Sequence, residues 1–392
     1  MSRPRRIVPR MLAPSRILRT TPAQAGGGRE RWQLVEEARD AIERGSRSFH
    51  AASLLFDPAT REKVWLLYAW CRRCDDLADA QDHGGELGDQ HDAEKRLRAI
   101  RLLTERAFDG LPTADPAFDA FGLVARECGL TREMAEDVIA GFALDAQGWR
   151  PRTERDLARY CYHVAGAVGV MMAVVMGVPK DDTETLDRAC DLGIAFQLAN
   201  ILRDLDEDDR ADRCYLPVEW LVEQDIEPGQ LMKPHHRGEL TEMAAKLVGI
   251  MERHEAAARL GAARLPFRSR WAVLAAARIY GAIGREVRAR GAAAWDHRVV
   301  IGRRAKARHV AVAFWGALRN RPEPVERMPE WTRGDILIDV RMAGPIAKPP
   351  MDSPWYRRGS VMGGSPWGGM SLTRKSGWPS AVTALAGDMT AP

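Results

Sequence analysis

From about Trp32 to Asn320 the apolar residues of this chain recur at three- and four-residue spacing. That rhythm puts them on one face of a helix, and its persistence over so long a stretch means helix following helix. The prolines fall mostly at the joints: Pro58, Pro116, Pro151, Pro217 and Pro266 each stand just ahead of a new periodic segment, where a fixed φ and a missing N–H cost nothing. Alternating β-branched runs are scarce, and no glycine-rich phosphate loop follows one. The spacing therefore predicts an all-α domain over residues 31–320.

The flanks read differently. Residues 1–30 carry Arg3, Arg5, Arg6, Arg10, Arg16 and Arg19 with no acid before Glu30 and no continuous apolar core; a disordered extension and an organelle transit peptide both fit, a secretory signal does not. Residues 321–392 turn rich in Gly, Pro and Ser, with tryptophans that lack any period, and are expected to form a disordered tail. The formal net charge of +4, from 58 basic and 54 acidic residues, leaves the body near neutral once the basic opening is set aside. Nucleic acid is not the expected partner. Six cysteines spread through helical segments lack the density of a disulfide scaffold and point to free thiols in a reducing compartment, hence a cytoplasmic protein. The most apolar run, Val164 to Val178, is shorter than a bilayer crossing needs; it reads as a buried helix whose small residues admit a neighbouring helix or a long apolar ligand.

Two acidic patches carry the chemistry. In "CRRCDDLADAQD", Asp75 and Asp79 lie four residues apart, one helical turn, on one face. In "FQLANILRDLDEDDRADRCYLP", Asp204 and Asp208 repeat that spacing, with Asn200 and Gln197 one and two turns earlier. Like charges so placed repel, so such a face is either solvated or closed around a cation. Both patches follow strongly apolar stretches, "VWLLYAW" and "LGIAFQLAN", which argues against the solvated face. Facing each other in a bundle, they would offer oxygens to Mg²⁺, an ion that takes few carboxylates, keeps waters and shares phosphate oxygens. Arg72 and Arg203, beside the two clusters, are candidate donors to the same anion.

Other metals fit less well. A calcium loop would need glycine where Asp209 stands and a bidentate glutamate where Tyr215 stands. A zinc site at Cys71 and Cys74 lacks a second ligand pair, and a redox pair lacks its βαβ setting. These two cysteines are read as small core residues.

Taken together, "GSRSF", "YAWCRRCDDLAD", "YCYHVAGAVG", "FQLANILRDLDEDDRADRCYLP" and "AWDHR" resemble the squalene/phytoene synthase family, and its bacterial phytoene-forming branch most closely, from about Gly45 to Asn320. The resemblance implies an isoprenoid synthase helical bundle with a central apolar cavity. It implies a prenyltransferase of carotenoid biosynthesis that joins two geranylgeranyl diphosphates head to head into phytoene through a cyclopropylcarbinyl diphosphate. By resemblance, Asp75, Asp79, Asn200, Asp204 and Asp208 surround Mg²⁺, with Mn²⁺ an alternative ion and no NADPH called for. Gly45, Ser46, Arg47 and Ser48 match a substrate-contacting segment, and Tyr68, Arg72, Gln197, Arg203 and Tyr280 match further substrate contacts. The implied partners are prenyl diphosphates, with peripheral membrane association and other enzymes of the carotenoid pathway as further expectations. Ala78 stands where a bulkier aliphatic residue is common in the family.

Two alternatives stay open on the sequence alone. One is a head-to-head synthase making a thirty-carbon product from farnesyl diphosphate, because chain length depends on cavity depth at residues such as Met171, Met172 and Phe49. The other is a helical scaffold or lipid binder that retains the fold.

Overall fold

The computed structural model describes residues 28–45, 47–80, 92–211, 213–227, 229–321 and 324–342, with the side chains of Arg47 and Ser48 left out. Among these there is helix and turn and no strand. The basic opening expected as an extension lies outside the described residues up to position 27, as does the Gly-, Pro- and Ser-rich stretch from 343.

The helices start where the sequence supplies caps. α1 (Arg31–Gly45) and the short α2 (Arg47–Ser53) lead to α3 (Pro58–Asp79), whose first turn is fixed by Pro58 at N1 and by Asp57 accepting from Thr60 N at 3.0 Å. α4 (Ala93–Phe108), α5 (Pro116–Cys128) and α6 (Arg132–Ala146) follow; Asp115 and Thr131 cap the last two. α7 (Glu154–Cys161) opens on a capping box between Thr153 and Asp156 and runs through a π turn (Tyr162–Gly166) into α8 (Ala167–Val175).

α9 (Thr183–Arg210) is the central strut, packed against α8, against α11 (Arg237–Ala262) and against α12 (Phe267–Arg290). Gly193 permits the closest of these approaches: a Cβ there would stand 2.2 Å from the Ala165 carbonyl oxygen, so any other residue would push the π turn away. α3 occupies the other half of the bundle, packed on α1, α4 and α5. α10 (Val218–Glu223) and α13 (Arg303–Arg319) lie to the outside.

The apolar run at Val164 is buried as expected, divided between the π turn and α8. The whole stretch Glu154–Val175 is long and apolar enough to cross a membrane by length and composition, but 83% of its apolar window is buried inside the bundle. At the other end, the helical body reaches past position 320. α14 (Arg333–Met342) buries Ile336 and ties Arg333 Nε to Asp187 at 2.7 Å. Its start is a reciprocal cap, with Thr332 N donating to Asp335 at 2.9 Å and Asp335 N donating back to the Thr332 hydroxyl at 3.2 Å. The overall Gly and Pro content of the C-terminal region obscures this local signal in the sequence.

Between α2, α8, α9 and the first turns of α12 lies an apolar cavity with about 940 Å³ of atom-free space, its open mouth included. Val168, Met172, Leu192, Phe196 and Val273 are among its walls. Of the three residues expected to set its depth, Phe49 and Met172 line it. Met171 does not: one residue from Met172, it is rotated about 100° round the helix and packs in the core.

Candidate active site

α3 and α9 do not pack along each other; Arg213 links their acidic turns, lying against Asp79 and acting on Asp208. On α3, Asp75, Asp76 and Asp79 are all buried, at the end of the helix that Ala80 caps in a left-handed conformation. On α9, Gln197, Asn200, Arg203 and Asp204 are buried and Asp208 is half-buried one turn on. The stretch from Asp204 to Arg210 is continuous helix, which rules out a calcium loop there. The spacing argument thus holds: both motifs are one-turn pairs on inward faces.

The two motifs differ in what holds them. Arg203 donates to Asp204 through Nε at 2.8 Å and Nη2 at 2.5 Å, and Arg298 donates to Asp204 Oδ1 through Nε at 3.0 Å and Nη2 at 2.8 Å. Burial pulls the Asp204 carboxyl upward, but the two arginines outweigh it, and it titrates below the ordinary range. Asp75 accepts no hydrogen bond at either oxygen, although Arg72 Nη1 stands 3.2 Å from one of them; Arg72 Nη2 goes to Asp76 at 2.5 Å instead. Burial drives Asp75 well above the usual carboxylate range and lifts Asp79 to about 6 despite Arg213.

Arg213 joins the halves. It lies 3.6 Å from Asp79, and its charge also acts on Asp75, Asp208 and Asp145. Asp145, near the end of α6, accepts from Tyr160 at 3.2 Å and Tyr215 at 3.1 Å, and burial pushes it up to about 8. Sequence reasoning missed Asp145 and Arg298, which come from segments remote from both motifs, and Arg213, which lies just past the α9 motif. Arg298 had a signal, since it ends the stretch "AWDHR"; Trp295 of the same stretch anchors it by donating to the Leu202 carbonyl at 2.9 Å.

The remaining expected contacts sit where the polar space meets the apolar cavity. Tyr68 packs on Phe49 with ring centroids 5.5 Å apart, and Tyr280 stacks on Phe196 at 4.1 Å. Both hydroxyls are buried without a hydrogen-bond partner. Gly45 touches this floor: a Cβ there would lie 2.6 Å from the Tyr68 hydroxyl. Ser46 lies outside the described residues, as do the side chains of Arg47 and Ser48. Arg72 and Arg203, expected as donors to a substrate anion, are engaged first with their own aspartates.

No three His, Cys, Asp or Glu side chains among the described residues already converge on one point as a closed metal cage. The chemistry of the donors nevertheless fits a hard cation. Asp75 Oδ1 and Oδ2, Asn200 Oδ1, Gln197 Oε1 and Asp208 Oδ2 are buried oxygens without a donor, a costly state that oxygen coordination removes. Cys71 and Cys74, by contrast, are buried free thiols whose ionisation burial opposes, in keeping with core packing.

The squalene/phytoene synthase family profile matches residues 42–305. The chain belongs to the squalene/phytoene synthase family. Among curated members, a phytoene synthase from Pseudescherichia vulneris is 46% identical over 267 residues, covering 68% of this chain and 86% of the relative. A 15-cis-phytoene synthase from a Paracoccus species is 41% identical over 302 residues, covering 76% of this chain and 98% of the relative. The synthase fold is seen again in a crystal structure of a ligand-bound dehydrosqualene synthase, with a TM-score of 0.66 and 24% identity over 74% of this chain and 98% of that one.

Proposed function

We propose that this synthase condenses two geranylgeranyl diphosphates head to head into phytoene, with Mg²⁺ as the divalent ion, Mn²⁺ able to replace it, and no NADPH. The observation that carries the reading is the set of buried, donorless oxygens on α3 and α9, placed beside an apolar cavity whose walls suit a hydrocarbon chain. The naming of close relatives as phytoene synthases supports the substrate.

Asp75 and Asp79 from α3, and Asn200, Asp204 and Asp208 from α9, are the residues to hold the metal. When bound, the metal supplies positive charge that neutralises a departing diphosphate. Arg203 keeps Asp204 ionised and oriented, Arg72 orients Asp76, and both arginines add positive potential where diphosphate charge builds up. Tyr68, Tyr280, Phe49 and Phe196 form the boundary between the charged and apolar compartments, so an allylic cation is held against aromatic faces and away from water. Gly45 keeps the backbone close behind Tyr68. Arg47, Ser46 and Ser48 are assigned to substrate contact on family resemblance. Because substrate tails and product are lipids, we place the enzyme in the cytoplasm at a membrane surface, beside other enzymes of the same pathway.

The test is incubation of purified protein with geranylgeranyl or farnesyl diphosphate, with and without Mg²⁺ and NADPH, and chromatography of the organic extract. A forty-carbon conjugated triene formed only from the geranylgeranyl substrate with metal is the expected result. A thirty-carbon product would overturn the chain length and keep the chemistry; no product from folded protein would leave a scaffold.

A further inference from the structure

α13 carries Arg303, Arg304, Lys306, Arg308 and Arg319 and no acidic residue. Its N-terminal half turns Arg304 and Arg308 outward, and its C-terminal half continues the same outer stripe with Val312, Trp315 and Leu318. Trp315 is 58% exposed and Leu318 56%. Single exposed apolar residues are ordinary, but here they adjoin one another and extend onto neighbouring elements. Phe314 meets Phe267 edge-on at 5.7 Å and Trp271 at 5.1 Å, and Phe267 is itself exposed. The next residue, Arg268, donates to the Leu55 carbonyl at 2.8 Å, which places exposed Leu54 beside the patch.

These segments also form one wall of the apolar cavity. Ala52 and Phe56 line it from the α2 side, and Leu265, Ala272, Val273 and Ala276 from the α12 side. From Phe267 to Arg285, α12 contributes four arginines and no acid. An apolar, tryptophan-bearing helix end that continues into a basic helix start matches the order of acyl boundary and anionic headgroup in a bilayer surface.

We infer that the outer stripe of α13, with Phe267 and Leu54, docks on an anionic lipid bilayer and turns the α2–α12 wall of the cavity towards it. Charge selects this occupant. Residues 1–27 carry six arginines and no acid, and residues 343–392 carry five basic residues against two acidic ones, so both ends of the chain are repelled by the stripe. A second copy would oppose arginine to arginine. The inference adds a surface and a partner to the proposed function, and its test needs no substrate.

Full-length protein is sedimented with vesicles of phosphatidylcholine alone or mixed with phosphatidylglycerol, at low and high salt. Binding to the anionic vesicles is expected, weakened by salt and reduced about tenfold or more by Trp315→Ser with Leu318→Ser and, separately, by Arg304→Glu with Arg308→Glu. Both variants should keep wild-type circular dichroism and turnover in detergent micelles, which reads the catalytic proposal independently. Failure of the wild type to bind anionic vesicles overturns the inference. Equal binding by both variants does so too, since the chain termini would then carry it.

Discussion

On α9, Asp204 is gripped by two arginines before any ligand arrives; on α3, Asp75 is as deeply buried yet accepts no hydrogen bond at either oxygen. The spacing of the two motifs is the same, so the difference arises from what the rest of the fold brings to them. Arg298 reaches Asp204 from beyond α12, whereas the arginine nearest Asp75 turns its better hydrogen bond to Asp76. A buried carboxylate hydrogen-bonded by two arginines is already satisfied; one that has a nearby arginine but accepts no hydrogen bond favours a proton or a bound cation. The α9 motif is thus preorganised, and the α3 motif is completed by what binds.

The bluntest way to probe this contrast is truncation. Asp75→Ala and Asp204→Ala should each lower kcat/KM by about 10³-fold or more in the product assay if, as proposed, they hold the metal at the diphosphate; retained turnover in either would remove that residue from the site. The contrast itself appears in stability. Measured by denaturant unfolding in chelator, Asp204→Ala should cost about 3 kcal/mol because Arg203 is left buried and unpaired. Asp75→Asn should instead raise stability by about 1 kcal/mol, by removing the cost of burying an ionisable group whose oxygens accept no hydrogen bond. Equal losses would show that the two motifs are held alike.

A subtler effect follows pH. In the metal-free protein Asp79 titrates near 6 and Asp145 near 8, both above the unfolded value of 3.8. The native state therefore keeps protons that the unfolded chain has lost, and their contribution to stability declines as pH rises from about 4 through 6 and on to 8. Mg²⁺ affinity should run the other way, falling as pH drops through 6 because Asp79 takes up a proton the metal must displace. Titration calorimetry in buffers of different ionisation enthalpy reads that proton directly. The smallest effect belongs to Cys71→Ser with Cys74→Ser, which should retain most turnover and lose only thermal stability.

Much of this was legible because a helix converts spacing into geometry. Asp75 with Asp79 and Asn200 with Asp204 and Asp208 needed only the 3.6-residue period to be placed on common faces. The prolines at 58, 116 and 266 marked helix starts for the same local reason. What escaped was non-local. Arg298 and Asp145 acquire their roles only when separate segments fold together, and Arg213, just past the α9 motif, acquires its role by reaching Asp79 on α3; no periodicity relates any of them to the groups they serve. α14 escaped for a different reason: the Thr332–Asp335 cap was present in the sequence, but the composition of the longer region outweighed it.

The π turn at Tyr162–Gly166 sets the angular phase between two functions on one continuous rod. Before it, Tyr160 points to Asp145; after it, Val168 and Met172 face the cavity. Were that turn wound as uniform α-helix with every residue kept, everything downstream would rotate by up to about 100°. The cavity wall would turn into the core and Met171 would swing towards the cavity, so a change that leaves both acidic motifs in place would still rebuild the chamber beside them.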